Sequence, residues 1–448
     1  MTNEALAPRD VSAVKAEPTH SPWRAWRLVF VLTFLYCLSM LDRLILLLLV
    51  EPLSTKLSLT DMDVALLFGL GFGVVYTLVG LPLAQWIDRG NRILIIVGGV
   101  TLWSASTVAS AFATSYEMLL LLRTGVAIGE AALSPAAISL IGDLFAPNKR
   151  TFPTSIYASP GLYMGPGAFV IGGAALALST VLSPQIGLEP WSICLILVGL
   201  PGLIVAAYLA FFEREPARVS DGAQSVEAFS TKEAISYIAG NGRLWGMLFA
   251  AIALAAVANA GAYAWTSTLL IRGHGMEAAA AGSAYGAAGL MGAVIGLAFW
   301  PLVLSRFERK GRGDSLVLVL GAGLLIVTCG IVVIGLAQSV ALLLFMVSVV
   351  MFGLTTMAIL PPLIIQAVGA PRIRGRLVAG NLVASGLVGL VLGPSAVALI
   401  GEALEGPQAL GRAMALVAGV LTPLVAGAVW LAHPPFVRAY RANAEARQ

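Results

Sequence analysis

RTGVAIGEAALSPAAISLIGDLFAPNKR, residues Arg123 to Arg150, decides the fold. The stretch is apolar enough to cross a bilayer, yet Arg123 and Glu130 stand well inside it. A charge at the middle of a membrane helix costs about 2.5–3.5 kcal/mol on insertion scales, so such residues face protein or water and have a partner. The two are seven residues apart, two helical turns, and therefore share one face. That face is the candidate working surface.

The surrounding composition agrees. Of 448 residues, 58% are hydrophobic and 11% charged, with a mean hydropathy of +0.90. A soluble domain carries about 25% charged residues. About twelve apolar runs are long enough to span a bilayer, which excludes a membrane β-barrel built from alternating strands of roughly ten residues. The net charge of +4 does not mark a nucleic-acid binder, because the basic residues lie in short inter-helix loops. Cys37, Cys194 and Cys329 each sit inside an apolar run, too far apart for a disulfide framework or a metal motif. With only His20, His274 and His433 besides, metal chemistry is not expected, nor is any cofactor.

Basic residues also set the orientation. If the N-terminus is inside, the loops with Arg89, Arg92, Lys149, Arg150, Arg214 and Arg218 fall inside. So do those with Lys310, Arg312, Arg372, Arg374 and Arg447, leaving only Lys56, Arg272 and Arg412 outside. The expected order is a cytoplasmic tail over 1–22, a six-helix half over 23–212, a linker over 213–242, a second six-helix half over 243–433 and a cytoplasmic tail over 434–448. The first twenty residues have no apolar signal core. Ser230-Thr231-Lys232-Glu233 is a capping-box pattern that predicts a short surface helix in the linker.

The halves repeat. Aligning Pro147 with Pro371, an offset of 224, also aligns Gly129 with Gly353 and Arg150 with Arg374. Gly165-Pro166 and Gly393-Pro394 fall nearly in register. Two six-helix repeats are the build of secondary transporters, whose site lies between the halves near the midplane. Glu130 has Leu354 as its counterpart, so deep charge belongs to the first half, while the second offers Asn259, Tyr263 and Trp265.

Asp42 and Arg43 lie about eight residues from the outer end of the first run, so Asp42 sits roughly 12 Å deep. Arg123 lies at a similar depth, which makes an Asp42–Arg123 ion pair geometrically possible. Arg43 points about 100° away from Asp42, toward Glu130 or another helix. Burial disfavours a carboxylate's charge and a nearby guanidinium favours it. A carboxylate that changes partners therefore takes up and releases a proton. Glu130 is the expected principal proton carrier and Asp42 the second, with Arg123 as exchangeable partner. A permanent structural pair is the competing reading, and buried pairs rarely add net stability. Gly165 and Pro166 form a candidate hinge.

Over almost its whole length the sequence resembles the major facilitator superfamily. Asp88-Arg89-Gly90-Asn91-Arg92 looks like that family's inner-loop motif, although the usual glycine four residues before the aspartate is Ala84. The resemblance implies that Asp88, with Arg89 and Arg92, gates by latching near the start of helix 11. Within the superfamily, Leu41-Asp42-Arg43 and the 123–150 stretch resemble the spinster lipid transporters, in a bacterial homologue; Ala127 replaces one glycine of the helix 4 pattern. This resemblance implies an amphiphilic lipid substrate, of sphingoid phosphate or lysophospholipid type. It also implies a cavity lined by helices 1, 4, 7 and 10.

The fold class expected is all-α, twelve transmembrane helices in two pseudo-symmetric halves. The function expected is proton-coupled alternating access in the cell inner membrane, with both termini cytoplasmic, by a monomer that is not an enzyme. Arg43, Arg123, Glu130, Asn259 and Tyr263 are the candidate substrate contacts. The expected partners are a lipid-like small molecule, protons and the bilayer, with no nucleic acid. An exporter of drugs or small organic anions is the alternative within the class, and a membrane sensor or scaffold without net transport is the alternative outside it.

Overall fold

The computed structural model describes residues 22–218, 231–309, 314–370 and 373–445. The tail up to residue 21, Ser230 of the capping pattern, Lys310, Arg312, Pro371, Arg372 and Arg447 lie outside the described residues. Among the described residues, twelve helices are long and apolar enough to cross a membrane. In chain order they are α1 (Pro22–Leu48), α2 (61–89), α3 (Arg92–Ser110), α4 (Tyr116–Leu144), α5 (Thr151–Ile186) and α6 (Pro190–Phe212). After these come α7 (Trp245–Arg272), α8 (Ala278–Arg309), α9 (Ser315–Leu336), α10 (Val340–Val368), α11 (Arg374–Glu402) and α12 (Ala409–Glu445). A short helix, Thr231–Gly240, precedes α7.

Polar punctuation starts several of these helices. The Thr60 side chain and Asp63 form a reciprocal capping box before α2. Asn91 accepts from the Leu94 amide at the start of α3. The last helix runs past residue 433, where a tail was expected, through Pro434-Pro435 to Glu445. Its end is tied back by Asn443 Nδ2, which donates to the Ala367 carbonyl at 3.0 Å.

The offset of 224 read from the sequence recurs in the geometry. Ser115 caps α4 by accepting from Met118, and Ser339 caps α10 by accepting from Leu342. Arg150 Nε donates to the Phe145 carbonyl at 2.9 Å, and Arg374 Nε to the Gly369 carbonyl at 3.1 Å. A Cβ on Gly99 would lie 2.6 Å from the Gly129 carbonyl, and one on Gly353 would lie 2.9 Å from the Gly323 carbonyl. Each half therefore crosses its third and fourth helices at a glycine pair, where only hydrogen fits between the backbones.

The loops at residues 89–92, 146–150 and 213–218 mark a basic face, and those at 58–60, 187–189 and 273–277 mark the far face. The halves touch from mid-helix to the far face. There α2 meets α11 at Gly69 and Gly73 against Leu390, and α5 meets α8 where Pro166 and Val170 abut Gly286. Toward the basic face no hydrogen bond or ion pair joins the halves among the described residues. The structure is thus a two-lobed bundle parted on the basic side.

The glycine crossing makes a clean contrast. Gly129→Ala should destabilise the detergent-solubilised protein by about 1–3 kcal/mol, the usual cost of overpacking. Gly98→Ala, with nothing within 4 Å of the added methyl, should leave the thermal midpoint unchanged or raise it. Equal midpoints for the two variants would refute the close crossing.

Candidate functional site

Helix α4 is interrupted just past Glu130. It runs Tyr116–Ala131, breaks at Ala132 and resumes as Leu133–Leu144. Pro135 accounts for the break, since its ring clashes with the carbonyl four residues back, that of Ala131. Glu130 is therefore fixed at the end of a helical segment, deep in the first half.

Asp42, Arg123 and Glu130 are each only 2% exposed. Arg43 Nη2 donates to Glu130 Oε2 at 2.7 Å. The Glu130 side chain is fully buried, while that of Arg43 is 28% exposed and is the member of the pair that reaches open space. Asp42 Oδ1 accepts from Thr107 Oγ1 of α3 at 2.7 Å. Arg123 Nη2 reaches the Arg43 carbonyl at 3.4 Å.

The Asp42–Arg123 ion pair allowed by the sequence is not formed among the described residues. Helix α2 explains the arrangement. It carries a π-helical turn at Gly69–Val74, a feature that redirects side chains and recurs at functional sites. From this turn Phe72 lies against both guanidiniums, 4.5 Å from that of Arg43 and 5.5 Å from that of Arg123. Tyr76 lies 5.2 Å from Arg43. Aromatic faces attract cations; Phe72 holds both guanidiniums and Tyr76 holds Arg43 alone, while Arg43 pairs with Glu130 and Arg123 lies beside that pair. Asp42 Oδ2, Glu130 Oε1, Arg43 Nε and Arg123 Nε have no hydrogen-bond partner among the described residues. Two carboxylates and two guanidiniums thus share one region with an unpartnered atom on each.

The other candidates lie apart from this cluster. Asn259 and Tyr263 line a cavity of about 10 Å³ with Thr266 and Tyr285 inside the second half. Tyr263 does face the first half: its ring meets Phe169 edge-on at 5.5 Å, and its hydroxyl lies 3.5 Å from where a Cβ of Gly165 would be. Pro166 packs on α8 at Gly286 and Gly289. No hydrogen bond links Asn259 or Tyr263 to the charged cluster among the described residues.

On the basic face, Asp88 and Arg89 are exposed. The expected contact of the Asp88 carboxylate with α11 is absent among the described residues, consistent with lobes parted on that side. Instead Arg218 donates to the carbonyls of Ile87, Asp88 and Gly90, capping the end of α2. Arg92 is buried and holds Asp143 at 2.5 Å and Glu215 at 2.6 Å. Glu213 takes Arg27 at 2.7 Å and Arg24 at 3.5 Å. The start of the linker is thereby bolted to the first half.

At the far face, Arg272 of α7 bridges the lobes. Its Nε meets Glu51 at 2.5 Å and its Nη1 meets Asp61 at 2.9 Å, both from the first half. Beside it the Met62 amide donates to Glu402 at 2.9 Å, and Ser267 Oγ donates to the Leu47 carbonyl at 3.0 Å. These four contacts form a latch closing the far face. No three His, Cys, Asp or Glu side chains converge on a metal position among the described residues.

Two repeated six-helix lobes, latched at one face and parted at the other around a buried charge cluster, define a membrane transporter. The chain belongs to the Major Facilitator Superfamily, whose family model matches residues 32–394. It is 27% identical over 432 residues to an MFS-type efflux pump of Mycolicibacterium smegmatis, covering 94% of this chain and 95% of that protein. A 134-residue segment is 36% identical to the sphingosine-1-phosphate transporter SPNS2 of Danio rerio, covering 28% of this chain and 26% of that one. Among solved structures, it matches a bacterial homologue of the human lysosomal transporter Spinster in an inward-facing, unoccupied conformation. That match has a TM-score of 0.71 and 25% identity, covering 95% of this chain and 99% of that one.

The latch can be tested directly. Arg272→Gln should populate a state opened at the far face, read as a longer distance between spin labels at Lys56 and Gln338 in a background without native cysteines. An unchanged distance distribution would show that Arg272 does not hold the lobes together.

Proposed function

We propose that the protein moves an amphiphilic lipid of sphingoid phosphate or lysophospholipid type by proton-coupled alternating access. The observation that carries this reading is the Arg43–Glu130 pair, one member fully buried and the other partly exposed. While Glu130 is ionised, Arg43 is occupied. A proton on Glu130 cancels the attraction and frees a guanidinium suited to a phosphate head group. Arg123, beside the pair without an ion pair of its own, is placed to take over whichever carboxylate loses its partner. Asp42 is the second acid of the exchange. The second half contributes the apolar and aromatic surface for the tail, with Tyr263 facing α5 across the divide. Rocking of the lobes would break the far-face latch while bringing Asp88 toward the start of α11, with the Gly165-Pro166 region yielding.

The basic loops support placing that face in the cytoplasm, with both termini there and the protein in the cell inner membrane. In that orientation the described state is open inward. The likeness of a 134-residue segment to the sphingosine-1-phosphate transporter SPNS2 supports the lipid class. One observation favours a second reading, export of drugs or small organic anions: the relative matched over nearly the full chain is described as an efflux pump.

Purified protein in liposomes under an imposed pH gradient separates the readings. A fluorescent lysophospholipid should move only with the gradient, and ethidium should not. Glu130→Gln should lower lysophospholipid flux by more than about tenfold, since breaking a buried charge pair costs about 3–5 kcal/mol, and Asp42→Asn should lower it as well by removing the second acid. They should also flatten its pH dependence. Equal flux and an unchanged pH profile in both variants would discard the proton role. Ethidium flux alone would favour the exporter.

A further inference from the structure

The Asp42 carboxylate meets one neutral donor, the hydroxyl of Thr107, and that hydroxyl has two acceptors within reach. Thr107 Oγ1 lies 2.7 Å from Asp42 Oδ1 and 3.0 Å from the carbonyl of Trp103, one turn back on its own helix. Thr107 and Asp42 are both 2% exposed. A hydroxyl has one hydrogen to give and lone pairs to receive. It cannot serve both acceptors at once. The choice between them is set by what stands at residue 42.

We propose that Thr107 is the positioning residue of the proton site, keeping Asp42 hydrogen-bonded in both of its protonation states by rotating a single hydroxyl. When Asp42 is ionised, Thr107 gives its hydrogen to Oδ1 and leaves the Trp103 carbonyl to its helical partner. When a proton from water binds Asp42, the new O–H donates to Thr107 Oγ1. The threonine hydrogen then turns to the Trp103 carbonyl. Thr107 keeps its own hydrogen throughout, and the transferred proton stays on Asp42. The charged groups acting on Asp42 are Arg123 and Glu130 from α4 and Arg43 from its own helix. All three carry charge that pulls or pushes on the acid, whereas Thr107 accommodates both states without charge. A valine at this position would leave Asp42 without this partner in both states, and the loss is greater for the charged one.

This inference rests on Asp42 taking up a proton as proposed above, and its test reads the acid itself rather than transport. Infrared difference spectra of the purified protein between acid and alkaline pH should show a protonated carboxyl C=O band in the Glu130→Gln background. Asp42→Asn should remove that band. Thr107→Val should shift the band, since the acid loses its partner. It should also move the midpoint of the band's pH titration upward by about one unit, because the bond to the charged form is the stronger of the two. Thr107→Ser should restore both. An unchanged band and midpoint in Thr107→Val, with the Asp42 band present, would overturn the hydroxyl switch and leave the proton role of Asp42 standing. Absence of any Asp42 band would overturn both. A serine variant that behaves like valine would also overturn the switch, because it keeps the hydroxyl and loses only the methyl group.

Discussion

Four ionisable side chains in an apolar interior set the terms for the rest of this molecule. Taking charge out of water is expensive, and attraction between opposite charges offsets that only with good geometry and completed hydrogen bonds. Here the geometry is good at one pair, Arg43 with Glu130 at 2.7 Å, and incomplete around it. The neighbours are arranged to tolerate this. Phe72 and Tyr76 offer their ring faces to Arg43, the π-helical turn of α2 brings those rings inward, and Pro135 ends the helical segment just beyond Glu130. A cluster built for stability alone would close its bonds; this one leaves an atom without a partner on each of its four members.

The lobes impose the second constraint. They cross tightly at paired glycines within each half and meet one another through small residues from mid-helix to the far face. The linker segment that follows α6 belongs mechanically to the first lobe, since Glu213, Glu215 and Arg218 are all anchored to α1, α2 or α3.

Much of this was legible in the residues, for definite reasons. Charge inside apolar runs is rare, so Asp42, Arg123 and Glu130 stood out, and glycine and arginine at a constant offset disclosed the repeat. Which arginine meets which acid was not legible. Arg43 and Arg123 are both close to the acids by helical spacing, and the rings that surround them, Phe72 and Tyr76, are brought in by a π turn that no simple period reveals. Thr107 was hidden for another reason: a threonine in an apolar helix ordinarily bonds the carbonyl one turn back, as this one also does. The latch partners are more than two hundred residues apart in the chain. Arg272 nevertheless gave a signal, as one of only three basic residues on the face expected outside.

The latch and the buried pair differ in how they meet water. Arg272, Glu51 and Asp61 keep 28%, 35% and 15% of their side-chain surface accessible, whereas the Glu130 side chain keeps none. Mobile ions weaken attraction between accessible charges and scarcely touch enclosed ones. Ionic strength beyond the far face would therefore tune how readily the molecule turns over, while the acid at its centre stays deaf to salt.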